Sequence, residues 1–308
     1  MAVDVKDFAV GMELPPVSKY MTQDKFNAYE ACGKRSYRGI HEDEEVAKKD
    51  GLGQTIASGM MSVMYLHEPM IKAFGVGWEH GGKLRLSFVR PTLHGDTLTV
   101  RTVVKEIVKE KIGDNEVDRV VFDAWLENQR EEKVSVGWAS GRVGPADVLR
   151  QFSGGFGSWL KDIPAAAKVK PDTQIIWERI VVGEDFGPYE YTPMQEDLDE
   201  YRAAAEDQTA LFTTVGRKHH SELYNLRYVH GGGINAGHES TNINPPTMGK
   251  KLKVYGKIPD KYIRRDKPYV MLDEYTIDED GREIESAIHR SLRDPKECGK
   301  KWWGDKLS

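Results

Sequence analysis

His41 is the residue whose type and setting best suit proton transfer; it stands just before Glu42 and Asp43 where a helix begins. An imidazole titrates near pH ~6.5, so at neutral pH it can both take and return a proton. A histidine that only bonds locally at a helix start is the alternative. Three and five residues earlier stand Arg38 and Ser36. A guanidinium fork suits a carboxylate, while a serine hydroxyl can hold a water but is a poor base. Glu42 and Asp43 are carboxylates close at hand, and Asp43 reads as the N-cap of the following helix. Gly59 follows Ile56, Ala57 and Ser58 near the start of a long apolar segment. The N–H groups of a first helical turn, together with the helix dipole, stabilise negative charge. A glycine there also allows a helix to pack closely on a sheet, and both readings stand.

A second concentration of chemistry-bearing residues comprises His219, His220, His230 and His238. Their spacing fits no familiar ligand pattern and no cysteine joins them, so no metal is expected. His238 or His230 is expected to line a pocket from the second half of the chain. Gly231 to Gly233 is too short a signal for a phosphate-binding loop and reads as flexible backbone. The basic run Lys250, Lys251, Lys253, Lys257, Lys261, Arg264 and Arg265 suits phosphates or an acidic partner. It also suits a solvated edge strand guarded by lysines, which is the favoured reading.

These residues need elements to hold them. Thr55 to Phe74 carries Ile56, Met60, Val63, Met64, Leu66, Met70 and Ile71, apolar on nearly all sides, and predicts a buried helix. Strand-like runs follow at Lys83–Arg90, Asp96–Lys109, Asp118–Asn128 and Lys133–Val143. In the second of these Leu98, Val100, Thr102 and Val104 recur with the period of a half-buried strand. Similar runs come at Lys251–Tyr262, Lys267–Ile277 and Arg282–Leu292, with Asp280-Gly281 as a hairpin turn between two of them.

The chain repeats itself once. Val10-Gly11-Met12, Pro16, Phe26 and Tyr29 are matched 172 positions later by Val182-Gly183-Glu184, Pro188, Leu198 and Tyr201. Thr22 or Gln23 is expected to cap the helix of the first copy, and Thr192-Pro193 to open that of the second. Arg90 to Leu98 is echoed 154 positions on by Asn244 to Leu252, and Val121 to Val134 is echoed 150 positions on. The second copy is therefore shorter between its first helix and the Pro/Gly turn. No apolar helix like the first is evident there, and residues 229–234 read as loop or the start of a strand. The expected division is residues 1–145, a Gly/Pro/Ser/Ala-rich linker over 146–171, and residues 172–308. Trp302 and Trp303 would be out of place in a free tail and are expected to dock on the body or on a second subunit.

The 308 residues amount to about two domains of ~150. A net charge of -5 and a pI near 6 do not suggest a nucleic-acid partner. No apolar stretch approaches the ~20 residues of a membrane span, and no signal-peptide pattern follows Met1. Two distant cysteines, Cys32 and Cys298, read as free thiols, and the cytoplasm is the expected location.

Residues Tyr37 to Met61 resemble the signature of the MaoC-like (R)-specific enoyl-CoA hydratases and dehydratases. The match runs through His41, Asp43, Ala47, Gly51-Leu52, Ile56, Gly59 and Met60, and continues through Gly82 to Val100. The resemblance covers residues 8 to 143 and, more weakly, the second half. It implies an α+β fold of two fused hot-dog domains, each a curved antiparallel sheet wrapped around a central helix, with the second helix shortened. It implies hydration or dehydration of an acyl thioester, with His41 as acid–base, the N–H groups at Gly59 holding the thioester oxygen, and no cofactor. Tyr37, Ile56, Ser58, Met60 and His238 are the expected substrate contacts. The substrate is an acyl-CoA or acyl-carrier thioester, and a homodimer or higher oligomer is the expected assembly. Ser36 stands where the family has Asp and Arg38 where it has Asn, so a modified catalytic pair is expected. A non-catalytic acyl-CoA-binding or accessory subunit and a thioesterase are the competing readings; for the latter, Gln54 and Ser58 are poor candidates. Gly81-Gly82 and the shortened second helix region suggest room for a bulky acyl chain.

Overall fold

The computed structural model describes residues 3–34, 38–157, 160, 173–174, 177–229 and 233–292. The first half runs β1 (Val17–Tyr20), α1 (Gln23–Cys32), α2 (Glu44–Lys49), α3 (Gly59–Phe74), α4 (Val76–Glu79), β2 (Lys83–Phe88), β3 (Thr97–Ile112), β4 (Asn115–Glu127) and β5 (Lys133–Val143). After α5 (Ala146–Leu149) and β6 (Thr173–Gln174) come β7 (Asp185–Tyr191), α6 (Gln195–Ala205), α7 (Thr214–Arg217), α8 (His219–Arg227) and β8 (Tyr228–Val229). The chain continues through β9 (Ile234–Asn242), β10 (Leu252–Lys257), β11 (Lys261–Arg264), β12 (Lys267–Asp278) and β13 (Glu283–Leu292).

One antiparallel sheet joins both halves in the order β1-β3-β4-β5-β2-β9-β13-β12-β10-β7, with β11 on β12; β6 and β8 pair separately. The halves meet where β2 pairs with β9, Leu84 facing Ser240, Arg85 facing Glu239 and Leu86 facing His238. These pairs are related by the 154-residue offset of the repeat, so the pseudo-twofold runs through Arg85 and Glu239, whose charged groups lie 3.7 Å apart. Gly11 and Gly183 hold the same left-handed conformation, φ +86 and +87. Their N–H groups donate to Val104 and Ile258 at 2.8 Å. Only glycine adopts that conformation without strain, which explains the repeated Val-Gly pair.

The central helix α3 starts at Gly59, four residues later than the apolar pattern predicts, and is buried along most of its length. The second copy does have a counterpart. It is cut into α7 and α8 by Lys218, which sits in the left-handed region at φ 56, ψ 50. The polar sequence Lys218-His219-His220-Ser221 hid that helix from a search for apolar periodicity. Thr22 caps α1 by accepting from the Lys25 N–H, and Asp43 caps α2 by accepting from Glu45 and Val46. Pro193 lies outside α6 rather than in its first turn, where Asp197 instead accepts from the Met194 N–H at 2.7 Å.

Gly81 and Gly82 do not widen a pocket. A Cβ on Gly81 would lie 2.0 Å from the Arg142 guanidinium, and one on Gly82 would lie 2.5 Å from the Trp78 ring. Both glycines make room for neighbouring side chains. Among the described residues no helix is long and apolar enough to cross a membrane.

Candidate active site

His41 is placed by its neighbours on both sides. Gln23, at the start of α1, donates through Nε2 to the His41 carbonyl at 2.8 Å and accepts at Oε1 from the Thr55 hydroxyl at 2.7 Å. The His41 ring nitrogen Nδ1 lies 2.8 Å from the Ile56 carbonyl oxygen. A carbonyl can only accept, so Nδ1 carries the proton and the neutral ring presents Nε2 as its basic atom. The same contact ties the imidazole to the loop that leads into α3.

Ser58, the N-cap of α3, makes no side-chain bond to the first turn. Gly59 opens the helix, and a Cβ there would lie 2.7 to 3.0 Å from the Phe88 ring. The glycine therefore lets β2 close against the helix start, so the packing reading of Gly59 holds. That does not displace the charge-stabilising reading, because the N–H groups of this first turn border the same space as His41.

That space is a cavity of about 810 Å³ between the halves. His41, Arg38, Ile56, Ser58, Gly59 and Met60 line it from the first half. Lys218, His220, Ser221, Tyr224, His289 and Ser291 line it from the second. Ser36, Tyr37 and His230 lie outside the described residues, as do Gly231, Gly232, Trp302 and Trp303. His238 is not a lining residue, contrary to the sequence-based expectation. Its side chain is fully buried behind His289, ring centroids 6.4 Å apart, and burial pushes its imidazole down to about 3.

Several lining groups carry no clear signal in the sequence. Glu30 and Lys218, from opposite halves, form an ion pair at 2.5 Å with both residues only 3% exposed. His220 stacks on His289 at 3.9 Å with the rings 8° from parallel. With Glu274 these two offer ligand atoms within 4.8 Å of one another. A metal must lie in the plane of each imidazole it binds, and two nearly parallel planes 3.9 Å apart do not meet near the rings. As placed, this trio does not converge on one ion. Of the basic run, the turn end reaches the cavity: Arg264 and Arg265 line it, together with Lys267 just beyond the run. Lys250 and Lys251 instead pair with Asp280 and Glu190 at the surface. Arg265 and Asp266 both hold positive φ, 51 and 59, in the tight β11–β12 turn. That conformation is unfavourable for non-glycine residues, and it sets the arginines at the cavity mouth.

Among the described residues the second half shows no matching cavity. At the equivalent place, near Thr213, Asn242 and Glu285, only about 10 Å³ remains. There the Thr214 N–H, at the start of α7, donates to the Glu285 carboxyl at 2.7 Å. The chain's own carboxyl occupies the position that α3 leaves open in the first half.

Residues 9–124 match the family model described as MaoC like domain. Three solved structures align over nearly the whole chain. A MaoC domain protein from Chloroflexus aurantiacus J-10-fl has a TM-score of 0.70 at 12% identity, covering 95% of this chain and 97% of its own. A Mycobacterium tuberculosis protein described as having a double hotdog fold scores 0.65 at 13%, covering 93% and 97%. A MaoC-like dehydratase scores 0.62 at 14%, covering 92% and 98%. No curated protein matches the chain in sequence. The first half thus resembles a MaoC like domain in sequence. The chain as a whole has the double hot-dog fold, an α+β architecture with the second central helix broken and shortened.

Proposed function

We propose that the protein is a cytoplasmic hydro-lyase that adds water to a 2-enoyl thioester, or removes it from the 3-hydroxyacyl form, at the cavity holding His41 and Gly59. The observation that carries this reading is the bond from His41 Nδ1 to Ile56, which leaves Nε2 as the base beside the open start of α3. Nε2 takes a proton from a water whose oxygen attacks C3 of the enoyl group. The electron pair of the double bond moves into the thioester, and the developing oxyanion is held by the N–H groups at Gly59. The imidazolium then returns its proton to C2, so one molecule of water has been added and His41 is regenerated. One histidine can act in both steps, which accommodates Ser36 in place of a carboxylate.

Of the cations along the cavity, Arg85 and Arg290 are paired with Glu239, Arg90 with Glu132 and Lys218 with Glu30, so the positive charge gathers at Arg38 and the Arg264–Lys267 turn, which favours an anionic ligand there. Arg264, Arg265 and Lys267 at the mouth suit the phosphates of coenzyme A. The test is the loss of conjugated enoyl absorbance with 2-enoyl-CoA substrates. Turnover lost in His41→Ala supports a hydratase. Saturable binding with no turnover in the wild type would instead make the protein an accessory acyl-CoA-binding subunit.

A further inference from the structure

The two central helices open in corresponding ways: α3 at Gly59 behind its N-cap Ser58, and α7 at Thr214 behind its N-cap Thr213. An N-cap hydroxyl ordinarily accepts a hydrogen bond from the first turn and so removes one of that turn's open donors. Thr213 does this, taking the Val215 N–H at 3.3 Å. Ser58 does not. The Met61 N–H is taken by the Ser58 carbonyl instead, at 3.0 Å. The Ser58 hydroxyl has no hydrogen-bond partner among the described residues. The residue is half-buried and lines the cavity beside Gly59.

The second half shows what this position of the fold can hold. There the first N–H of the helix, that of Thr214, donates to a Glu285 carboxyl oxygen at 2.7 Å. The Thr213 hydroxyl is turned onto its own helix, so that oxygen receives one donor. In the first half the cavity lies open at the same place. An oxygen seated on the Gly59 N–H would meet an uncommitted hydroxyl on the preceding residue. A serine hydroxyl carries one proton to donate and rotates to suit its acceptor.

We infer that Ser58 is a catalytic residue, its hydroxyl donating to the thioester oxygen together with the Gly59 N–H. This rests on the hydratase reading and adds a donor to it. As the electron pair of the double bond moves into the thioester, the oxygen gains charge and both hydrogen bonds strengthen. When the proton returns to C2 the charge leaves again. Ser58 keeps its own proton throughout. Donors aimed at developing charge lower the barrier more than they tighten binding of the ground state.

The experiment compares the wild type with Ser58→Ala and with Ser58→Thr, which keeps the hydroxyl. On a 2-enoyl-CoA, Ser58→Ala should lower kcat by about 100-fold, the usual loss for one such donor, with KM little changed. Ser58→Thr should retain most of the rate. Because the Ser58 hydroxyl does not cap α3, Ser58→Ala should keep the wild-type Tm, whereas Thr213→Ala should lower it. A further readout needs no turnover. The chromophore p-dimethylaminocinnamoyl-CoA is too strongly conjugated to be hydrated readily, and its absorption moves to longer wavelength when its thioester oxygen accepts hydrogen bonds. At saturation the wild type and Ser58→Thr should shift it to the red, and Ser58→Ala should lose a large part of that shift. An equal shift in Ser58→Ala, or none in the wild type, overturns the inference. So does a fall in Tm for Ser58→Ala as large as that for Thr213→Ala, which would make the hydroxyl a cap. If the shift depends on Ser58 but no enoyl thioester is hydrated, the hydratase reading fails while the Ser58 contact stands.

Discussion

Glu285 and Ser135 stand at the same point of the two halves: Ser135 faces Phe88 across β5 and β2, and Glu285 faces Asn242 across β13 and β9. Ser135 bonds the Ser62 hydroxyl beside the open cavity, at 2.9 Å, whereas Glu285 accepts the Thr214 N–H and fills the equivalent place. The place that is open to the cavity in the first half is thus filled by a carboxyl in the second.

Glu285 also sets a dependence on pH. Burial pushes its carboxyl up to about 8, against the lowering effect of the Thr214 N–H. Glu274 is likewise raised to about 8, by burial first. Unfolded glutamates titrate near ~4.3, so between that pH and about 8 the folded protein binds more protons than the unfolded chain. Stability is then full at the acid end of this window and falls as pH rises through it. Glu285→Gln keeps an acceptor for Thr214 and removes one titration. Scanning calorimetry from pH 5.5 to 8.5 should show wild-type Tm falling and the variant falling less steeply, with the variant the more stable at pH 8.5. Parallel curves would refute this account.

The Glu30–Lys218 pair couples the halves across the cavity. Removing one member of a buried pair strands the other charge, at a cost of about 3–5 kcal/mol. Lys218 also lies 4.5 Å over the Tyr29 ring, so its loss removes a second contact. Glu30→Met and Lys218→Met should each lower stability by an amount in that range. The double variant should be less destabilised than the two losses summed, because no unpaired charge remains. Urea unfolding of all four proteins measures the coupling, and simple additivity would show that the pair contributes none.

The first half was legible because its signals are local. Alternation along β3, the apolar run of α3 and the His41-to-Met60 motif each occupy a short stretch of sequence. The second half hid its site for physical reasons. His220 and His289 are 69 positions apart and meet only because the fold brings the start of α8 to the middle of β13. His238 shares its face with its cross-strand partner His289, but it is fully buried and only His289 lines the cavity. The β11–β12 turn reads as an exposed basic edge until the fold brings Arg264 and Arg265 to the cavity mouth. Polar residues on a buried face carry no apolar period, so the broken helix and β9 leave no such signal in the sequence.

Gly59 tests the start of α3. Gly59→Ala places a Cβ 2.7 Å from the Phe88 ring, so either the ring or the helix start must move. Overpacking of this kind costs about 1–3 kcal/mol. Displacing an oxyanion donor lowers kcat by about 100-fold or more. Turnover of an enoyl thioester should therefore fall much further than stability does. Gly59→Ala combined with Phe88→Leu, which frees the space, should recover at least ~10-fold of the lost kcat. No recovery in the double variant would show that the glycine acts through something other than the fit of β2 against the helix.

Gln23 tests how His41 is held. Its amide links the His41 carbonyl to the Thr55 hydroxyl, and so joins α1 to the loop before α3 without touching the imidazole. The amide orientation follows from the partners, since the carbonyl can only accept and Oε1 must take the Thr55 proton. Gln23→Ala frees the His41 backbone while leaving the ring's own bond to Ile56 intact. A small misplacement of a general base lowers the rate of the step it serves, by about 10-fold or more. We expect kcat to fall, KM to change little, and the pH–rate profile to keep its shape, because the group that titrates is the same. Gln23→Glu keeps the acceptor for Thr55 but loses the donor to His41, so it should resemble Gln23→Ala in kcat. Thr55→Ala removes only the outer bond and should have the smaller effect. A variant of Gln23 with wild-type kcat would show that the Ile56 contact alone places the imidazole.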